Sequence, residues 1–176
     1  NAPMVKDQTG YLPIHWAVCQ DEPSEVIVQT LLTAYPEGLL KPCVDGTLPL
    51  HWCVNRCKPK VKIVKMLLDA NKSSAGVSDK DGCTPLHKCV NREDPDVEVA
   101  QMLIDACAEA LEITNKEGHL PLHLAIDHDK PNVEVAKLLL SANPAGASIK
   151  DKHGHLPLHC LLDNPHPDFL LAELVL

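Results

Sequence analysis

One six-residue pattern, a glycine followed by two variable residues and then Pro-[Leu/Ile]-His, recurs five times along the chain. The step from one glycine to the next is 36 residues in every case, with no insertion or deletion. A period between about 20 and 50 residues is typical of stacked arrays, in which each unit contacts only its neighbours. The five copies are Gly10-Tyr11-Leu12-Pro13-Ile14-His15, Gly46-Thr47-Leu48-Pro49-Leu50-His51, Gly82-Cys83-Thr84-Pro85-Leu86-His87, Gly118-His119-Leu120-Pro121-Leu122-His123 and Gly154-His155-Leu156-Pro157-Leu158-His159.

The period divides the 176 residues into a short leading piece and five units, called units one to five below. Residues 1–6 align with the tail of a preceding unit, and the fifth unit stops inside its apolar run. We therefore expect further repeats or domains of the same chain. The predicted units are 7–42, 43–78, 79–114, 115–150 and 151–176, which together form one domain.

Each unit predicts a turn followed by two short helices. The glycine favours a turn that needs a positive φ, and the proline three residues later suits the first turn of a helix. In unit three this first helix is predicted from Pro85 to Arg92. The second helix, predicted from Asp96 to Ala106, has one broad apolar face. A side chain that can cap it precedes this helix in four units, Ser24, Asp96, Asn132 and Asp168, whereas unit two has Lys60.

Composition excludes several function classes. The net charge of −8 argues against nucleic acid as the main ligand, because phosphate contacts need a basic face. We expect no membrane insertion, since no run of about 18 apolar residues and no signal segment occurs. The eight cysteines are scattered within the repeat, which favours reduced thiols in a cytoplasmic or nuclear protein over a disulfide framework.

These motifs resemble the ankyrin repeat, whose signature is Thr-Pro-Leu-His-x-Ala. Thr84-Pro85-Leu86-His87 matches it directly, and Pro121-Leu122-His123-Leu124-Ala125 matches after Leu120 replaces the threonine. The resemblance implies an all-α solenoid of paired antiparallel helices with β-hairpin or turn fingers. Two features depart from the family: the period exceeds the usual length of about 33 residues, and leucine replaces the threonine in four units. The hydroxyl cap of the first helix is lost in those units.

The periodic histidines and two cysteines are candidates for catalysis or metal binding. A histidine repeated identically in every unit is better explained as a structural bond between neighbouring fingers. Cys53 and Cys57, with His51 nearby, could hold zinc, but Cys53 occupies a small position that alanine fills in other units. Because no nucleophile, acid/base pair, metal cage or cofactor motif emerges, we predict that the protein is not an enzyme and carries no cofactor.

Four of the histidines outside the repeated motif position are candidates for a surface site. His119, His153 and His155 fall on the predicted finger turns of units four and five, and His128 follows a first helix. They could form a pH-sensitive or metal-binding edge, since imidazole changes charge near neutral pH. A solvated surface cluster is the simpler interpretation.

The resemblance implies that the fingers and first helices line a concave face that binds a partner protein or peptide, within a larger intracellular scaffold or regulatory protein. Aromatic and basic residues at the variable positions of this face suit such contacts. We expect the partner to be acidic with apolar anchors and the two tryptophans to stand side by side. The predicted partner-binding residues are Tyr11, Trp16, Gln20, Trp52, Arg56, Lys88 and Arg92.

Two alternatives use the same residues differently. In one, the chain is a small-ligand receptor, in which Trp16 and Trp52 stack on a nucleotide-like ring while Lys88 and Arg92 contact phosphate. In the other, the tryptophans are structural spacers packed between units.

Overall fold

The structure, a computed structural model, describes residues 5–56, 58–164 and 167–175. Ten α-helices follow one another in five pairs within these residues, and no strand is present among them. The fold is therefore all-α, as predicted. The helices are Pro13–Val18 (α1), Glu25–Ala34 (α2), Pro49–Val54 (α3), Val61–Ala70 (α4), Pro85–Val90 (α5), Val97–Ala106 (α6), Pro121–Ile126 (α7), Val133–Ala142 (α8), Pro157–Asp163 (α9) and Phe169–Val175 (α10).

First helices stack on first helices and second helices on second helices, which makes the chain a solenoid. Helix α5 packs against α3 and α7, and α6 packs against α4 and α8. A short 3₁₀ helix closes each of the first four pairs. The buried core that the units share consists of leucine, valine, isoleucine, alanine and cysteine. The 3₁₀ helices are Pro36–Leu40, Lys72–Gly76, Ala108–Leu111 and Pro144–Ser148.

The predicted caps form at the second helices. Asp96 accepts a hydrogen bond from the backbone N–H of Val99, and Asn132 accepts from the N–H groups of Glu134 and Val135. Ser24 and Asp168 cap their helices in the same way, whereas Lys60 provides no side-chain cap. The first helices are shorter than predicted: α5 ends at Val90 because Asn91, with ψ of 58°, turns the chain away.

The fingers are tight turns closed by their first residue. In unit three, one carboxylate oxygen of Asp79 accepts from the N–H groups of Asp81 and Cys83, both at 2.9 Å. Gly82, with φ of 80°, completes the turn. Neighbouring fingers are linked by single backbone bonds, such as Lys116 N–H to Asp81 O at 2.9 Å. The fingers were expected to be either β-hairpins or turns. In the described residues they are turns.

None of the helices in the described ranges has both the length and the apolar character needed to cross a bilayer.

Gly82 and Gly154 both have a positive φ, but only Gly82 has close neighbours. The two positions therefore allow the cost of backbone strain to be measured apart from the cost of steric crowding. A Cβ atom at Gly82 would lie 3.0 Å from Asn115 Cα and 3.1 Å from the backbone nitrogen of Lys116. A Cβ atom at Gly154, where φ is 84°, would meet nothing within 4 Å.

We expect Gly154→Ala to lower the free energy of unfolding by about 1 kcal/mol, the conformational cost of a positive φ in alanine. Gly82→Ala adds the crowding and should cost roughly 2–3 kcal/mol. Urea unfolding followed by circular dichroism measures both values. Equal losses in the two variants would contradict the close approach of fingers three and four.

Candidate functional site

Each periodic histidine belongs to the set of repeated residues that closes the turns and helices of the units and bonds one unit to the next. This set is called the frame below. In all five units the Nδ1 atom of the histidine accepts a hydrogen bond from the backbone N–H of the residue before the proline, at 3.1 Å. Because this nitrogen accepts, the proton resides on Nε2. In three units Nε2 donates to a finger carbonyl of the following unit, and the predicted bond between neighbouring fingers is thus present there. These bonds join His51 to Cys83 O at 3.0 Å, His87 to His119 O at 3.1 Å and His123 to His155 O at 3.4 Å.

Thr84 shows what the leucine-containing units lack. Its hydroxyl lies 2.8 Å from Nδ1 of His87 and accepts from the N–H of His87 at 3.5 Å. Leu12 and Leu48 at the same position have no acceptor and are instead buried in the core. The bond from the backbone amide to the imidazole is kept in every unit, so the ring orientation does not depend on the threonine.

Burial keeps these imidazoles neutral. It lowers the pKa of His51 and of His87 from the ordinary 6.5 to about 4, and it also lowers the pKa of His15 and His123. A histidine that is buried, neutral and bonded through both nitrogens has no free atom with which to accept a substrate proton. His51, His87 and His123 meet all three conditions and therefore serve the structure, whereas Nε2 of His15 is buried without a hydrogen-bond partner among the described residues.

The cysteines do not assemble a metal site in the described residues. Cys53 is buried, and burial raises the pKa of its thiol to about 12. Cys89 is equivalent, at 1% exposure and with its pKa likewise raised to about 12. Both fill the small apolar position predicted for them. Cys57, the second proposed zinc ligand, lies outside the described residues, and no group of three potential ligands suited to a metal occurs among the described ones.

Three of the four histidines proposed for a surface edge gather at fingers four and five. His119, His153 and His155 line one cavity of about 460 Å³ together with Asp151. The Nε2 atom of His119 lies 3.3 Å from Asp151 Oδ2, which links the two fingers. His128 lies apart, in the loop after α7. The edge predicted from sequence thus contains three histidines and a buried carboxylate, without His128.

Tyr11, Trp16 and Trp52 form one cluster on the face made by the fingers and first helices, called the aromatic cluster below. The ring centroid of Tyr11 lies 5.7 Å from that of Trp16 and 5.5 Å from that of Trp52. Each indole therefore contacts Tyr11, and the tyrosine joins the two tryptophans that were expected to stand side by side.

The two tryptophans have different environments. Trp16 is 52% exposed, and its indole Nε1 donates to Asp7 Oδ2 at 2.8 Å. Trp52 is half-buried, packs against the core and donates to the Thr47 hydroxyl at 2.9 Å. The spacer alternative therefore describes Trp52 in part, while Trp16 presents most of the accessible aromatic surface. Asp7 was missed in the sequence, although it is a finger residue of the same unit as its tryptophan.

The basic residues predicted to face a partner are engaged within the chain. Arg56 donates to the backbone carbonyl of Cys19 and pairs with Asp21, and Arg92 donates to the carbonyl of Asn55. Lys88 pairs with the buried Asp79 carboxylate at 2.8 Å. Both arginines clamp the loop of the preceding unit, because their side chains reach back across the unit boundary.

The remaining predicted residue, Gln20, is exposed and bonds the backbone carbonyl of Trp16 at 3.0 Å. It stands at the repeat position of the two arginines. The fact that Arg56 and Arg92 are 36 residues apart could have revealed their structural role, by the same logic that applies to the histidines.

Comparison with known families supports the repeat assignment. A family model described as ankyrin repeats, with three copies, matches residues 57–153. A search of curated proteins found no match.

The buried histidines predict a loss of stability in acid. The unfolded chain takes up a proton on each histidine near pH 6.5, whereas folded His87 does so only near pH 4. The stabilising contribution is therefore complete above pH 6.5 and is lost progressively as the pH falls towards 4. In this window each such histidine contributes a slope of about 1.4 kcal/mol per pH unit.

We expect His87→Gln to reduce the slope of the unfolding free energy against pH by about 1.4 kcal/mol per pH unit, which is the contribution of one proton. His159→Gln is the matched control, because His159 has the same repeat position but is exposed. Urea unfolding at a series of pH values measures both slopes. Indistinguishable slopes for the two variants would show that burial does not hold His87 neutral.

Proposed function

Because the chain belongs to the ankyrin repeat family, we propose that it binds a partner protein or peptide through the aromatic cluster on its finger and first-helix face. Ankyrin repeats are generally protein-interaction modules and are typically not enzymes. The bond between Trp16 and Asp7 is the observation that carries this proposal.

Trp16 combines exposure with a fixed orientation. About half of its surface is accessible, yet its indole is held by Asp7 and lies against Tyr11. A side chain that is already ordered loses little conformational entropy on binding. Tryptophan and tyrosine are also the residues that most often dominate binding energy at interfaces, because they bury large apolar areas.

The frame supports this division of roles. The histidines, Arg56 and Arg92 bond neighbouring units, so they are committed to stability. The residue immediately after the histidine differs between units, being Trp16 and Trp52, then Lys88, Leu124 and Cys160. Variation on an otherwise fixed surface is what selective recognition requires.

The expectation of an acidic partner depended on free basic side chains at Arg56, Lys88 and Arg92. Since all three are engaged, the proposal keeps the apolar anchor and gives up the acidic partner. The nucleotide alternative loses support for the same reason. Its phosphate would need Lys88 and Arg92, and Tyr11 contacts both indoles that were to enclose the base.

We place this module in a larger intracellular scaffold or regulatory protein, in the cytoplasm or nucleus. The cysteines in the described part of the chain are free thiols, which suits a reducing compartment.

A displayed library of random peptides tests the proposal. We expect selected peptides to lose affinity by at least about tenfold for Trp16→Ala, the cost of removing an interface hot spot. Val26→Ala is the control, since Val26 is 75% exposed on the second helix of unit one. Isothermal titration calorimetry measures both affinities. Peptides that bind the Trp16 variant as tightly as the unaltered chain would contradict the proposal.

A further inference from the structure

This inference rests on the binding proposed for the aromatic cluster and names the chemistry of what it receives. We propose that the partner places a cationic side chain, a lysine or arginine, against the exposed surface of Trp16, beside the carboxylate of Asp7. The partner segment is thus basic at its anchor, the reverse of the acidic partner expected from sequence.

The first argument is an equivalent pair within the chain. Asp7 and Asp79 occupy the same repeat position, as do Trp16 and Lys88, because each pair is separated by two periods. In unit three, Lys88 Nζ lies 2.8 Å from Asp79 Oδ2. Unit one keeps the aspartate but has an indole in place of the lysine. The fold therefore uses this carboxylate oxygen to hold a cation in unit three, whereas the residue at the lysine's position in unit one is uncharged.

Unit five uses the same oxygen in the same way. Cys160 stands there at the lysine's position, and His119 of unit four supplies the nitrogen that lies 3.3 Å from Asp151 Oδ2. The second oxygen of the finger aspartate thus faces a basic group in units three and five. In unit one it accepts from the neutral indole instead, at 2.8 Å, and the negative charge of Asp7 is not neutralised by that bond.

The second argument is the charge around the cluster. Hydrogen bonds from the Thr9 hydroxyl, from Trp16 and from the backbone lower the pKa of Asp7 to about 2, so the carboxylate is ionised at neutral pH. Burial raises the pKa of Tyr11, and the nearby charges of Asp45 and Asp7 act in the same direction. Two carboxylates, Asp7 and Asp45, therefore lie near the tyrosine ring. The ring faces and the carboxylate are therefore complementary to one positive charge.

The cationic side chains near the aromatic cluster bond other groups of the chain. Lys6 Nζ donates to the backbone carbonyl of Pro42 at 2.8 Å, and Arg56 pairs with Asp21 and Cys19 O. These side chains are held by their own partners. An incoming lysine or arginine would combine a cation–π contact, for which tryptophan is the strongest acceptor, with attraction to Asp7.

The experiment uses a peptide selected from the displayed library and its synthetic analogue with each lysine or arginine replaced by norleucine. Norleucine keeps the aliphatic chain and removes the charge. We expect the selected peptides to be enriched in lysine or arginine and the analogue to bind about five- to thirtyfold more weakly. Titration calorimetry at low and high salt should show that this difference shrinks as the salt concentration rises.

Asp7→Asn is the matched change in the protein. Asparagine is native at this repeat position in unit four, where Asn115 Oδ1 accepts from the N–H groups of Glu117 and His119 and keeps the turn closed. Asp7→Asn also removes the acceptor of the Trp16 indole, so it should weaken both peptides to some extent. We expect the loss for the cationic peptide to exceed the loss for the norleucine analogue by about five- to thirtyfold. Asp129→Asn, which removes one charge from an exposed loop in unit four, should change neither affinity.

The two proposals fail in different ways. Weaker binding by Trp16→Ala, together with equal affinities for the two peptides and an equal effect of Asp7→Asn on both, would overturn the cationic anchor and leave the interaction surface standing. Selected peptides that respond to neither variant, or a library that yields none, would overturn both. Melting temperatures of the variants confirm that the comparison is made on folded protein.

Discussion

The array depends on a buried imidazole ring that, in units two, three and four, is hydrogen-bonded on both sides and kept neutral by burial. The amide of the first helix's cap residue fixes Nδ1, and Nε2 reaches the next finger in three successive units. A helix of six residues is too short to persist alone in water. The ring therefore does two things at once, since it closes the start of a short helix and ties that helix to the unit that must support it.

The same principle extends to the rest of the frame. The finger aspartate uses one oxygen to close its own turn and leaves the other oxygen for the face above it, as Asp79 and Asp151 show. Arginine at the end of the first helix reaches back to the loop before it. Each of these residues is bonded to backbone that recurs at the same place in every unit. What remains free to vary is the surface between them, where the aromatic cluster lies.

Much of the frame was predictable because its causes are local. A proline at the first helical position, a capping side chain and a glycine with positive φ each act within a few residues, and Pro85, Asp96 and Gly82 are found where the period placed them. The cross-unit role of the histidines followed from their regular spacing. The shorter first helices were missed because the dihedral angles of Asn91 are not readable from a helical pattern.

The residues of the candidate site were predictable from the sequence, but the contacts between them were not. Tyr11, Trp16 and Trp52 were identified from their positions, yet the sequence did not show that the tyrosine contacts both indoles. Nor did it show that Arg56 and Arg92 bond carbonyls 37 residues earlier. These contacts depend on how neighbouring units pack. A charged side chain in the sequence reveals its sign, whereas its partner is decided by the fold.

Nitrogen NMR of the histidine side chains tests the central claim most directly, because it reports the protonation and tautomer of each ring. The account predicts that His51 and His87 are neutral, carry their proton on Nε2 and stay neutral as the sample is acidified to about pH 5, where a solvated imidazole is charged. Their Nε2 protons should also show hydrogen-bond coupling to the carbonyls of Cys83 and His119. Rings that become charged above pH 6, or that exchange between tautomers, would contradict a frame built on buried neutral histidines.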